Sequence, residues 1–158
     1  MAQKRMFDKS VITQDDFIEL PLSAQALYFH LGMQADDDGV VDGIRGILRL
    51  IGASDDDFEM LCESGYLITL NNKVIVITHW HLHNYLMRYK PTSHITEFDK
   101  VFITDNKTYT LDDTGNKANE YMQHRGDCIN TKNELHQKRQ ADIKSIEDDE
   151  FRMKFSAV

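Results

Sequence analysis

Residues 40–78 read VVDGIRGILRLIGASDDDFEMLCESGYLITLNNKVIVIT, and the reading of this stretch decides the fold. Val40-Val41 is a very short strand. Asp42 begins a helix in which Ile44, Ile47, Leu48 and Ile51 recur at i, i+3, i+4 and i+7 and so share one face. Arg45 and Arg49, one turn apart, share another. Gly52-Ala53-Ser54 breaks that helix, and Ser54 caps the next, with Asp57 at the second position of a capping box. Phe58, Leu61 and Cys62 are the core contacts of this helix, and Gly65 stops it. A hairpin follows: Tyr66 to Leu70, a turn at Asn71-Asn72, then Lys73 to Thr78.

Working upstream, Thr13 followed by Gln14, Asp15 and Asp16 starts a short helix, with a capping side chain and acids in its first turn. It ends near Leu20 because Pro21 follows. Ser23 caps a longer helix through about Met33, on which Leu20, Ala24, Leu27 and Leu31 mark the buried stripe. Asp36-Asp37-Asp38-Gly39 is a turn. The order is helix, short strand, helix, tight turn, helix, hairpin. It predicts an α+β protein built on a winged helix-turn-helix, with Asn71-Asn72-Lys73 at the wing tip. The expected core is Leu27, Leu31, Ile47, Leu48, Ile51, Phe58, Leu61, Ile75, Ile77 and Trp80.

Downstream, HWHLHNYLMRYKP (79–91) predicts a short helix that closes the domain through Trp80, Leu82 and Tyr85 and is ended by Pro91. VFIT, Asp105-Asn106-Lys107 and TYTL form a second hairpin as a C-terminal extension. After Leu111 apolar residues thin out. The stretch from Asp112 to about Asp149 is rich in Asp, Asn, Lys, Gln and Glu, and reads as a weak solvated helix or a disordered segment. The expected division is 1–90 winged-helix domain, 91–111 hairpin extension and 112–158 polar acidic tail.

Composition narrows the function. The chain has 158 residues, enough for one or two small domains, and its 26 acidic against 18 basic side chains give a net charge of −8. An acidic chain does not adhere non-specifically to nucleic acid or to anionic membranes, so DNA contact needs a local basic patch. Apolar runs such as Val74 to Ile77 are strand-length, far short of the roughly 20 residues that span a bilayer. The N-terminal MAQKRMFDKS lacks the apolar core of a signal peptide, and Cys62 and Cys128 are too few for a disulfide framework. A cytoplasmic protein with no membrane partner is expected.

The motifs that carry chemistry are sparse. There is no GxxxxGK[ST], GxGxxG or GxSxG, which leaves nucleotide hydrolysis and hydrolase elbows without support. Asp36-Asp37-Asp38-Gly39 lacks the remaining positions of a calcium loop, above all its terminal Glu. His79, His81 and His83 would share a face on a strand, but on a helix only 79 and 83 align, with no HExxH acid beside them. These histidines read as structural or solvent-exposed. No enzyme activity, cofactor or metal is expected. The helix-turn-helix is the main functional signal, but its second helix, Ser54 to Ser64, begins Asp55, Asp56, Asp57 with Glu59 and Glu63 behind. Acids in a first turn offset the helix dipole by roughly 0.3–1 kcal/mol each, and they repel phosphates. Candidate DNA contacts are therefore Arg45, Arg49 and wing Lys73, with Lys4, Arg5 and Lys9 on the N-terminal arm. Their plainer reading is ordinary surface charge.

Taken together, KRMF (4–7), PLSAQALYFHLGMQADDDG (21–39), RLIGAS (49–54), VIVITHWHLHNYL (74–86) and RYKPT (88–92) resemble the N-terminal domain of phage replisome organisers. These are replication initiation proteins of phages of Gram-positive bacteria, with a DnaD-like winged helix. The resemblance spans roughly residues 3 to 111; the family's C-terminal region is not matched. It implies a winged-helix module of phage DNA replication acting in the host cytoplasm, through DNA, host replication proteins or both. The competing expectation is a phage-encoded acidic module that inhibits a host nucleic-acid-processing enzyme, such as a defence nuclease. Its surface would be Asp36, Asp37, Asp38, Asp55, Asp56, Asp57, Glu59 and Glu63.

Protein purified without a histidine tag is expected to carry no stoichiometric zinc by elemental analysis. Zinc that resists mild chelation, and disappears when His79 and His83 are replaced, would overturn the reading of the histidine cluster.

Overall fold

A computed structural model describes residues 4–86 and 88–155; the outer ends of the expected 1–90 and 112–158 segments, and Met87, lie outside the described residues. The protein is mixed α+β. In chain order it runs α1 (Lys9–Ile12), α2 (Asp15–Ile18), α3 (Leu22–Gln34), β1 (Val40–Asp42), α4 (Ile44–Ile51), α5 (Asp55–Glu63), β2 (Leu67–Thr69), β3 (Val74–Ile77), α6 (Trp80–His83), α7 (Ile95–Phe98), β4 (Phe102–Ile103), β5 (Tyr109–Thr110), β6 (Asn116–Lys117) and α8 (Ala118–Phe155).

Two small antiparallel sheets organise these elements. The first has the order β1-β3-β2, with Val41 opposite Ile75 and Ile68 opposite Val76. All four residues of β3 are buried, which is why VIVI is a continuous apolar run rather than an alternating one. The second sheet has the order β5-β4-β6 and docks on the first through the Tyr109 N–H, which donates to the Thr78 carbonyl at 2.8 Å. One hydrophobic cluster runs from Val11 to Met122 through both sheets. The second hairpin is thus present, but it gains a third strand and shares its core with the body instead of standing apart as an extension.

Several boundaries differ from the sequence expectation for local reasons. A one-turn helix that was not expected, α1, precedes the expected one; Asp8 caps it by accepting from the Ser10 N–H, and the Thr13 hydroxyl closes it by donating to the Lys9 carbonyl. Gln14, with no capping side chain, precedes α2. Pro21 stands at the cap of α3, and Ser23 is drawn away to donate to Asp57 at 2.6 Å. Asp42 ends β1, and Gly43 occupies the cap of α4. On α4 the inward residues are Ile44 and Leu48, with Ile47 and Ile51 half-buried beside them; Phe58 is half-buried on α5. The capping box of Ser54 and Asp57 forms in both directions.

The segment after β3 departs most. Its helix is one turn, α6, ending well before Pro91, and Tyr85 is exposed while Trp80 is buried. Gly39 explains part of Trp80's placement. Its φ is +80°, a conformation that side chains rarely adopt, and a Cβ there would run into the indole. The polar tail resolves toward the helical alternative: α8 has 38 residues, about 57 Å at 1.5 Å per residue. Its first turns are anchored by buried Ala118 and Met122, and Gly126 lets the Tyr89 ring lie against the helix backbone where a Cβ would collide.

Leu48 is buried and Ile47 only half so. Leu48→Ala is expected to cost about 2–5 kcal/mol in urea unfolding, and Ile47→Ala about 1–2 kcal/mol. The reverse order would show that α4 presents its other face to the core.

Candidate functional site

The turn after β2, which carries Lys73, is tied by its backbone to the start of α4, which carries Arg45 and Arg49. Asn71 Oδ1 accepts from the N–H groups of Lys73 and Val74, both at 2.9 Å, which shapes the turn. The Lys73 carbonyl then accepts from the Gly43 N–H at 3.1 Å, so the turn is fastened to the start of α4. Arg45 and Arg49 follow on the exposed side of that helix, where the Arg49 Nε donates to the Arg45 carbonyl. Gly46 has open space around it, and Leu50 is 78% exposed, so this face of α4 is uncovered. Asp42 lies at the same corner and is paired with His94 at 3.6 Å.

The arm does not join this patch as a whole. Lys4 and Lys9 are exposed, but the Arg5 side chain is only 3% exposed. Its guanidinium donates to Asp37 Oδ1 and to the Ala35 carbonyl, and it lies over the Trp80 ring, 5.0 Å from the centroid. Arg5 therefore serves the interior rather than presenting its charge outward.

The same contacts take the Asp36–Asp38 turn out of the expected acidic surface. Asp36 Oδ1 accepts from the Asp38 and Val40 N–H groups, an Asx-type turn. Asp37 holds Arg5 with one oxygen and accepts from the Lys90 N–H with the other. Asp38 is 1% exposed and accepts from the Thr92 N–H at 2.6 Å and the Tyr89 hydroxyl at 3.0 Å. Burial, reinforced by the Asp36 and Asp37 carboxylates, pushes the Asp38 pKa up to about 7 against those two hydrogen bonds. The turn is a clamp that gathers the arm, α6 and the 88–92 loop.

On α5 the acids divide. Asp57 is buried; its oxygens accept from Ser23, Ser54 N–H and Ser54 Oγ, and those bonds hold its pKa below the usual carboxylate range. Asp55, Asp56, Glu59 and Glu63 are exposed, and none forms an ion pair among the described residues. A hollow of about 310 Å³ is lined by Asp16, Glu19, Leu20 and Pro21, with Met60 of α5 and Ser64 at that helix's C-cap.

The histidines are structural. His83 Nδ1 accepts from the Asp8 N–H at 2.9 Å, so the neutral ring carries its proton on Nε2 and donates to the Tyr28 hydroxyl at 2.7 Å. His81 Nδ1 accepts from Arg125 of α8 at 2.6 Å, and its ring meets Tyr109 and Tyr121 edge-on. Burial lowers His79, His81 and His83; His83 reaches about 4, helped by His79, and His81 about 3, helped by Arg125 and Lys107. Among the described residues no group of three or more His, Cys, Asp or Glu is arranged to hold a metal ion, and no helix is long and apolar enough to cross a membrane. The residues that sequence reasoning missed are Tyr89, Thr92 and Arg125. Each acts across 44 to 54 residues of chain, and only the RYKPT run hinted at a fixed loop.

In comparisons with known proteins, no family model, curated protein or solved structure matches the chain.

The depressed pKa of His83 fixes the sign of an acid effect. The stability contributed by its neutral ring is full above about 6.5 and is lost as pH falls from there toward 4, with His81 acting in the same direction. Asp38, raised to about 7, opposes them, because the folded state holds its proton first as pH falls. Urea midpoints for wild type and His83→Gln should therefore converge between pH 7 and pH 4. A gap that stays constant across that range would show that His83 is not held neutral.

Proposed function

We propose that the protein is a winged-helix module of phage DNA replication that meets DNA through α4 and the β2–β3 turn, not through α5. The observation that carries this reading is the Gly43–Lys73 hydrogen bond, which fastens the Lys73 turn to the start of the helix that carries exposed Arg45 and Arg49. Element order supports the winged-helix part: α3, β1, α4, a three-residue turn, α5 and the β2–β3 hairpin, with the sheet ordered β1-β3-β2. In that architecture α5 would enter the major groove by its N-terminus. Its exposed Asp55, Asp56 and Glu59 would there face phosphates, which costs binding energy, whereas three cations on α4 and the turn release counterions. The resemblance of residues 3 to 111 to replisome organisers supplies the biological setting.

The second reading, an acidic module that binds a host nucleic-acid-processing enzyme, is favoured by the unpaired carboxylates of α5. Its expected surface is reduced, because Asp36–Asp38 and Asp57 are committed to interior contacts.

Duplex binding followed by fluorescence anisotropy separates the two. Arg45→Glu with Arg49→Glu should abolish DNA binding, and Asp55→Lys with Asp56→Lys should leave it intact or strengthen it. The salt slope of wild type should be shallow, a magnitude of about 3 or less for three phosphate contacts. Folded Asp55→Lys/Asp56→Lys protein that loses sequence-specific binding would mean that α5 reads bases after all.

A further inference from the structure

We infer that the hollow between α2 and α5 is a docking site for a partner-protein segment that presents one large apolar side chain flanked by Lys or Arg. This goes beyond the DNA reading, since no residue of the hollow belongs to the α4 and β2–β3 face.

The floor and the rim have different chemistry. Leu20, Pro21 and Met60 supply the apolar lining of an open hollow of roughly 310 Å³, enough space to receive one large side chain. The chain beside it keeps two aliphatic side chains in water: Ile18 is 57% exposed and Leu22 is 82% exposed. Ile18 and Leu22 are neighbours of the lining in sequence and are not themselves among the residues that line the hollow. The helix turn of α2 and the Pro21 break produce this arrangement. Phe17 goes into the core at 1% exposed, which turns Asp16, Ile18 and Glu19 toward the outside.

The rim is negative and uncompensated. Asp16 and Glu19 line the hollow itself; Glu59 and Glu63 are exposed on α5, next in sequence to the lining residues Met60 and Ser64 but not among the lining. None of the four has an ion-pair partner among the described residues. Their fields reach the groups around them: Asp16 helps raise Tyr66, and Glu59 and Glu63 help raise Cys62, in each case after burial. Charge complementarity therefore selects a basic segment over an acidic or neutral one, and the apolar floor selects a segment with an anchor over a purely basic run. A second copy of this chain is a poor occupant, because its net charge is −8.

The test uses the full chain and three fluorescein-labelled peptides: one Trp flanked by Arg residues, the same peptide with Trp replaced by Ser, and the same peptide with Arg replaced by Glu. Fluorescence polarisation should show saturable binding of the Trp–Arg peptide, weaker binding of the Ser peptide and none of the Glu peptide. Asp16→Asn with Glu19→Gln should weaken the Trp–Arg peptide roughly tenfold, the size of two or so lost charge pairs. Met60→Ser should erase the advantage of Trp over Ser. Arg45→Glu with Arg49→Glu should leave peptide binding in place, so failure of the DNA reading and failure of this one are told apart. Three results would each overturn the inference: no saturable binding of the Trp–Arg peptide, equal binding of the Trp and Ser peptides, or the same loss from Asp55→Asn with Asp56→Asn as from the hollow pair. Sedimentation showing that Asp16→Asn with Glu19→Gln dissolves a dimer would assign the surface to a second copy instead.

Discussion

A buried carboxylate has to be given partners, and in this protein that requirement at Asp38 organises much of the remainder. An unpaired charge in an apolar interior costs far more than a typical hydrogen bond returns. Asp38 is satisfied by the Thr92 N–H and the Tyr89 hydroxyl, which fixes the loop that follows α6. The adjacent Asp37 is satisfied by Arg5 and the Lys90 N–H, which fixes the arm and the same loop again. Trp80 is then enclosed between the Arg5 guanidinium and Gly39, with its indole N–H donating to the Asp37 carbonyl at 2.9 Å. Tyr89, held by Asp38, in turn lies against Gly126 and seats α8 on the body. One three-residue acidic turn thereby joins the N-terminal arm, the first sheet and the long helix.

This clamp also sorts the charges. A composition of 26 acids and 18 bases gives no hint of which are free. The structure consumes Arg5, Asp36, Asp37, Asp38 and Asp57 in interior bonds, and it leaves Arg45, Arg49 and Lys73 exposed on α4 and the turn tied to it, and Asp16, Glu19, Glu59 and Glu63 exposed on α2, the residue after it and α5. Exposed charges contribute little to stability, with isolated pairs worth about 0–1 kcal/mol. Unpaired like charges gathered on a surface therefore bear on recognition more than on folding.

How much of this was legible in the sequence follows from the range of each signal. The α4–turn–α5–hairpin unit was readable because its determinants are local: the i, i+3, i+4 spacing of Ile44, Ile47 and Leu48, the Ser54 capping box and the β-branched run at 74–77. The caps expected for α2 and α3 were misplaced because two competent hydroxyls are used elsewhere, Thr13 on the Lys9 carbonyl and Ser23 on Asp57 thirty-four residues away. Local capping preference is worth about 1 kcal/mol; at Ser23 it yields to a charged long-range partner, and at Thr13 to the open carbonyl at the end of the preceding helix. Arg45, Arg49 and Lys73 were visible as candidates, but their proximity needed the Gly43–Lys73 bond. Arg5 and Asp36–Asp38 looked like surface charge because nothing nearby in the chain betrays a partner more than thirty residues off. The hollow was not legible at all, since Asp16 and Met60 meet only when α2 is laid against α5.

The two exposed surfaces of opposite sign raise the question of whether they act independently. Six steps of chain lead from Arg49 to Asp55, so their Cα atoms stand no more than about 22 Å apart. The Debye length is about 8 Å at physiological ionic strength and about 30 Å in 0.01 M salt. At physiological salt a basic segment seated more than a Debye length from α4 changes the potential there by little. At low salt the same segment would cancel carboxylates that otherwise repel an approaching phosphate, and the two binding events would reinforce each other. Such coupling is reciprocal for binding free energies. An acidic protein can thus carry a small basic contact face without losing it to its own net charge, because water and salt confine each surface to its neighbourhood.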